Sequence, residues 1–178
     1  KDSQLQIIGE RTFPYCPIRK IYIPHYVTII GESAFNECQN LEIVEIPYNS
    51  ELRKIESYAF SSTKINKIFI PPRVTSIGFM AFLNCKNLQN IELLENSELQ
   101  TIGSGAFCLT NLYNFYIPSH ISKVENGIFS LCKNLRVVEI SEDCDPKYIK
   151  EFKDKILEES NLVGGNKCLL LIPSKIMK

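Results

Sequence analysis

A phenylalanine returns in fixed register along this chain, at Phe13, Phe35, Phe60, Phe82, Phe107 and Phe129, with intervals of 22, 25, 22, 25 and 22 residues. Nothing else in the sequence limits the possible folds as strongly, because segments this short, each holding one strand, cannot close a core by themselves. They must stack. A short and a long interval together return the same kind of unit every 47 residues, which groups Phe13 with Phe60 and Phe107, and Phe35 with Phe82 and Phe129.

In the long unit, Leu41-x-x-Val44-x-Ile46 leads through Asn49-Ser50-x-Leu52-x-x-Ile55 to Ala59-Phe60, and the stretch from Leu88 to Phe107 repeats it. The short unit replaces Asn-Ser-x-Leu by Pro and a tighter turn: Ile65-x-x-Ile68-x-Ile70-Pro71, Val74-x-x-Ile77-Gly78, Ala81-Phe82, and again Ile18 to Phe35 and Leu112 to Phe129. Residues 2–13 overlay residues 96–107, so the array is expected to begin in mid-repeat with further coils upstream. Leu-x-x-Ile-x-Ile is a short strand with its last two apolar positions on one side, and stacking makes these strands a parallel sheet on one face of a solenoid. Pro after the strand offers no N–H to a ladder and ends it. Gly31, Gly78 and Gly103 are placed to permit a turn that a side chain would obstruct. Glu56 and Glu125 take the same place elsewhere, so positive φ is not obligatory there. The Ala-Phe pair fills the back of each coil, where a buried Phe, Ile or Leu contributes roughly 1.5–3 kcal/mol.

The run I-P-x-x-V-x-x-I-G-x-x-A-F-x-x-C-x-N-L, present as Ile23 to Leu41 and as Ile70 to Leu88, resembles the BspA-like leucine-rich repeat family. The likeness extends from residue 2 to about residue 140. It implies an α/β fold: a right-handed solenoid of about six repeats with a concave parallel β-sheet. It also implies kinship with a group dominated by microbial surface proteins that bind host or matrix proteins, which is an analogy, since one repeat architecture serves many partners.

After Ile140 the pattern changes. Asp145 followed by Pro146 is a helix start, with Asp at the N-cap and Pro at the first helical position. Tyr148, Ile149, Phe152, Ile156 and Leu157 follow at helical spacing, predicting a helix over about residues 146–158 that lies across the open end of the last coil. Gly164-Gly165 breaks the chain, and a final strand is predicted over about residues 168–172. Residues 1–140 are therefore the solenoid and residues 141–178 a C-terminal cap, because a solenoid needs its last apolar face covered.

Twenty basic and twenty acidic residues cancel, so no global field draws nucleic acid or an anionic membrane toward the chain. No apolar run approaches the roughly 20 residues needed to span a bilayer, so membrane insertion by this sequence is not expected. Seven cysteines invite a metal or disulfide reading, but register argues for a third. Three residues after each Phe come Cys16, Cys38, Thr63, Cys85, Thr110 and Cys132, so Cys and Thr exchange at one small buried position suited to bonding a loop backbone. Cys85 and Cys132 lie two coils apart, about 10 Å between Cα atoms, too far to bridge. Cys16 and Cys38 are the one neighbouring pair in that column, and Cys144 and Cys168 could meet in the cap; spacing requires neither bond. There is no C-x-x-C, and His25 and His120 fall in turns after strands, where solvation is expected. Gly-rich phosphate loops, G-x-S-x-G and H-E-x-x-H are absent, and Glu158-Glu159 fit a solvated helix face. Neither a cofactor, a metal nor an enzymatic activity is indicated.

Function then falls to the exposed face of the sheet. The residue between the last two apolar positions of each strand points outward, giving a column of Tyr22, Glu45, Phe69, Glu92, Tyr116 and Glu139, aromatic from short units and acidic from long ones. The flanking columns are Arg19, Glu42, Asn66, Gln89, Tyr113, Arg136 and Lys20, Ile43, Lys67, Asn90, Asn114, Val137. Arg19, Lys20, Tyr22, Glu45, Lys67, Phe69, Glu92, Tyr113, Tyr116 and Glu139 are the candidate protein-contacting residues. Aromatic side chains on a strand surface also satisfy β-propensity alone. As interface anchors they suit a protein ligand, and replacing Phe69 and Tyr116 by alanine should then weaken binding at little cost in thermal stability. Two settings are open. One is a surface or secreted adhesin-like module, which the resemblance implies; the other is a cytoplasmic scaffold, favoured by the apparently reduced cysteines and the lack of an Asn-x-Ser/Thr site.

Overall fold

The computed structural model describes residues 4–160 and 168–172. The Gly164-Gly165 pair lies outside the described residues, as do the side chains of Leu157, Glu158 and Glu159. In chain order the elements are β1 (Ile7–Ile8), β2 (Lys20–Tyr22), β3 (Ile29–Ile30), β4 (Ile43–Glu45), β5 (Lys54–Ile55), β6 (Lys67–Ile70), β7 (Ser76–Ile77), β8 (Asn90–Leu93), β9 (Thr101–Ile102), β10 (Asn114–Ile117), β11 (Lys123–Val124), β12 (Val137–Ile140), α1 (Pro146–Ser160) and β13 (Leu169–Leu171). All strand pairing is parallel, and each strand finds its neighbour one coil away. The chain is a solenoid.

Three stripes hold successive coils together. The six two-residue strands form one continuous sheet in the order β1-β3-β5-β7-β9-β11, burying Ile8, Ile30, Ile55, Ile77, Ile102 and Val124. On the back, the Phe rings stack as Phe13–Phe35, Phe35–Phe60, Phe60–Phe82, Phe82–Phe107 and Phe107–Phe129 at 5.5, 5.3, 5.5, 5.6 and 5.9 Å between centroids. The third stripe, made by the longer strands, departs from a single uninterrupted ladder: β2 pairs with β4, β6 with β8, and β10 with β12 and then β13. The two kinds of junction differ by one residue in spacing. Cys38-Gln39-Asn40-Leu41 enters a long unit, whereas Thr63-Lys64-Ile65 enters a short one, so paired strands sit 23 residues apart but Val44 and Ile68 sit 24 apart. At the two offset junctions the backbone is tied instead by Lys64 N–H to Leu41 O and Asn111 N–H to Leu88 O, both 3.0 Å.

The backbone around each Phe explains how the coils tile. Two residues before and two after every Phe, φ is positive: Arg11, Tyr15, Ser33, Glu37, Tyr58, Ser62, Met80, Asn84, Leu109 and Leu131, with Gly105 and Gly127 completing the set. Left-handed φ costs an L-residue about 1–2 kcal/mol. In the first five coils it also turns those amides toward the next coil. Tyr58 N–H bonds Phe79 O at 2.9 Å, Phe60 N–H bonds Ala81 O at 2.8 Å and Ser62 N–H bonds Leu83 O at 2.8 Å, and the same triplet recurs along the array. Hydrogen bonds that would otherwise be unmade offset the strain.

Glycine serves a different end. Gly31, Gly78 and Gly103 are not among the positive-φ residues; a Cβ on Gly78 would lie 2.6 Å from the Glu56 carbonyl carbon and the Ser57 nitrogen of the preceding coil. Close approach of two backbones selects them, not the turn conformation. Where Glu125 takes this place, its carboxylate bonds Lys123 and the Ser104 amide, which hold it below the usual carboxylate range.

The Cys/Thr column bonds the backbone, as its register predicts. Thr63 and Thr110 donate to Phe60 O and Phe107 O at 2.9 and 2.8 Å, while the Cys85 and Cys132 thiols donate to the same two carbonyls at 3.1 and 3.0 Å. Burial pushes the Cys85 thiol up to about 11. In the long units Ser50 and Ser97 are buried, accepting from the amides of Leu52 and Leu99. At the C-terminal end the Asp145 carboxylate accepts from the Lys147 amide, α1 buries Ile149, Phe152 and Ile156, and Lys155 reaches Val124 O at 2.6 Å.

Candidate protein-binding face

The paired strands place an aromatic from a short unit directly beside a carboxylate from a long one: Tyr22 is registered with Glu45, Phe69 with Glu92, and Tyr116 with Glu139. Tyr22, Glu45, Glu92 and Glu139 are exposed, and Phe69 and Tyr116 are half-buried. Lys67 begins β6 and is exposed, and Tyr113 stands exposed just before β10. Arg19 and Lys20 do not stand free. They bond Glu42 and Glu45 at 2.8 and 2.7 Å, so the first pair of strands is largely neutralised.

The charge balance changes toward the other end. Lys67, Glu92, Glu95 and Glu139 form no ion pair with any described residue. Two hollows lie on this face. One, of about 300 Å³, follows the offset junction between β4 and β6 and is lined by Ile43, Glu45, Lys67, Phe69 and Glu92. The other, of about 600 Å³, lies between Leu93, Glu95, Tyr116, Glu139 and Asp143, and no basic side chain lines it. The smaller hollow coincides with the missing ladder bonds at the junction of a long unit with the short unit after it.

Tyr48 is a contributor that sequence reasoning passed over. It leaves the turn after β4 with 68% exposure, lays its ring 4.6 Å from that of Phe69, and donates its hydroxyl to Glu92 at 3.3 Å. The only cue was its exchange with Glu95 at the same place in the other long unit. Phe69 also packs against the core, so truncating it is expected to cost stability as well as any contact it makes. His25 differs from expectation as well. It is half-buried, edge-on to Tyr26 at 4.7 Å, and its Nδ1 is buried without a partner among the described residues; His120 is exposed.

A family model described as the BspA type leucine-rich repeat region, in six copies, matches residues 6–162. This chain belongs to the BspA-type leucine-rich repeat family. Among solved structures, this BspA-type chain is similar to the pneumococcal vaccine antigen PcpA, with 23% identity and a TM-score of 0.73 over 78% of this chain and 36% of that one. It is similar to a leucine-rich cell surface protein of Faecalibacterium prausnitzii, with 25% identity and a TM-score of 0.55 over 80% of this chain and 44% of that one. A leucine-rich repeat protein of T. pallidum matches with 23% identity and a TM-score of 0.51 over 78% of this chain and 53% of that one. The chain thus spans about a third to a half of the length of these structures. No curated protein matches. BspA-type repeats are typically binding scaffolds. Among the described residues, no group of three or more His, Cys, Asp and Glu is placed to hold a metal, and no helix is long and apolar enough to cross a membrane.

Proposed function

We propose that this BspA-type chain is a non-enzymatic protein-binding module, displayed at the cell surface or secreted, that engages a host or matrix protein through the face of its longer strands. The observation that carries the reading is the repeated aromatic–carboxylate pairing of Phe69 with Glu92 and Tyr116 with Glu139 beside hollows on a rigid sheet. Aromatic groups at a partly desolvated centre are what protein interfaces use as anchors, and unpaired carboxylates beside them suit lysine or arginine on the partner. Kinship with a cell surface protein supports the location.

The contact set comprises Tyr22, Phe69, Tyr113 and Tyr116 as anchors, Glu45, Glu92 and Glu139 as acceptors, and Lys67 with the ion-paired Arg19 and Lys20 as its basic members. Residues 141–178 act as the cap of the array. Because Phe69 supports the core, the test uses charge: the Glu92→Lys, Glu139→Lys double variant, compared with wild type on immobilised fibronectin, laminin and collagens. We expect one of these to be retained by wild type and lost at least about tenfold in affinity by the variant, with unchanged thermal unfolding. Equal binding by the two proteins would refute the assigned face. Antibody labelling of intact cells tests the location, and a signal requiring permeabilisation would favour a cytoplasmic scaffold.

A further inference from the structure

The first two coils carry cysteine at the same register, which no later pair of coils does. In the column three residues after each Phe, Thr63 lies against Cys85 and Thr110 against Cys132, with Oγ1 to Sγ distances of 3.3 and 3.1 Å. Cys38 occupies the place of Cys85 and Cys132: its thiol donates to Phe13 O at 2.9 Å, as theirs do to Phe60 O and Phe107 O. The residue under it, where the other coils have Thr, is Cys16. Register therefore sets Cys16 beside Cys38, and the Cys38 thiol, raised chiefly by burial, also responds to the Cys16 amide and thiol. Flanking bonds from Phe13 N–H to Ala34 O and Tyr15 N–H to Asn36 O, at 2.8 and 2.9 Å, hold the coils in step. Stacked strands lie about 4.8 Å apart, inside the Cα separation that a disulfide spans.

In a stacked array each coil is stabilised by its neighbours, so a covalent bond between two coils ties their opening together. All seven cysteines are free thiols in this structure.

We propose that Cys16 and Cys38 are a cross-linking site: an oxidising disulfide such as oxidised glutathione joins them, stapling the first coil to the second. The thiolate of Cys16, the less buried of the two, attacks one glutathione sulfur and expels the other glutathione as its thiolate. Cys38 then loses its proton to solvent and attacks Cys16 Sγ, expelling the second glutathione. Two thiol hydrogens leave as protons, and the two electrons reduce one oxidised glutathione to two thiols. The bond is independent of what the strand face binds.

Peptide mapping of the full chain tests this. After incubation with oxidised glutathione, alkylation and trypsin, we expect residues 12–19 joined to residues 21–53, lighter by the two thiol hydrogens, and two fewer titratable thiols than the seven of the reduced chain. Hydrogen exchange at the Phe13 and Tyr15 amides should slow by about tenfold or more on oxidation. Cys16→Thr installs the residue that Thr63 and Thr110 show the column accepts, and it should keep the fold while losing both the joined peptide and the redox-dependent protection. Recovery of both peptides only as alkylated or glutathionylated species, linkage of Cys16 to any other cysteine, or the same redox-dependent protection in Cys16→Thr would each overturn the proposal.

Discussion

Replacing Phe82 by alanine tests whether the ring column carries the cohesion of the solenoid. Phe82 is fully buried and stacked between Phe60 at 5.5 Å and Phe107 at 5.6 Å. Truncation removes the burial of the ring and leaves a cavity between two rings fixed by their own coils, which sets the cost at about 3–5 kcal/mol. Loss of stacking on both sides places it at the upper end of that range. Against a total stability of about 5–15 kcal/mol, the lesion is large. Phe13 is the internal comparison, being stacked on Phe35 alone and 38% exposed. No closed cavity forms when it is cut, and the expected cost is about 1–2 kcal/mol. Urea unfolding followed by circular dichroism measures both. Since coils contact only their neighbours, a break in the middle of the array also uncouples its halves, so the Phe82→Ala transition should be broader, with a lower apparent m value than that of Phe13→Ala. Equal losses from the two substitutions, with unchanged m values, refute the reasoning.

The glycine contacts predict a contrast between two equivalent positions. Gly78→Ala forces a Cβ to 2.6 Å from backbone and should cost about 1–3 kcal/mol, whereas Gly9→Ala, whose nearest atom is Thr12 Oγ1 at 3.5 Å, should be nearly neutral; melting temperatures decide. The Cys85 thiol gives a pH dependence. Its folded value of about 11 stands above the unfolded value of 9.0, so the unfolded chain loses this proton first, and the contribution is fully present below pH 9. It declines by about 2–3 kcal/mol as pH rises through the folded value, and Cys85→Ser should show a smaller alkaline loss in denaturant titrations from pH 8 to about 11.

Periodicity made the fold legible because the residues that set it are the ones the core demands: from the second coil onward the Phe column, the second residue of each short strand and the Cys/Thr position all lie inside. Features set by the backbone alone were not legible. Positive φ two residues on either side of Phe falls on Arg, Tyr, Ser, Glu, Met, Asn and Leu, so no side-chain preference announces it; the inter-coil hydrogen bonds impose it. Gly78 signalled a special place, but its cause is the Glu56 backbone in the coil before, a contact that no local pattern contains. Likewise the order of Tyr22, Phe69 and Tyr116 along the face could be read from strand alternation, while Tyr48 reaches Phe69 from a turn and depends on the three-dimensional path of the chain.

The grouping of the longer strands has a consequence for how such a gene can grow. A duplication of 47 residues brings a complete short–long pair, with both edges of its ladder and one aromatic–carboxylate rung. Insertion of a lone unit of 22 or 25 residues would instead set two like units together, stranding a ladder edge and placing aromatic beside aromatic or acid beside acid. Recombination among these repeats therefore yields workable arrays in whole-pair steps, and an array can change its length without losing the alternation that its outer face displays.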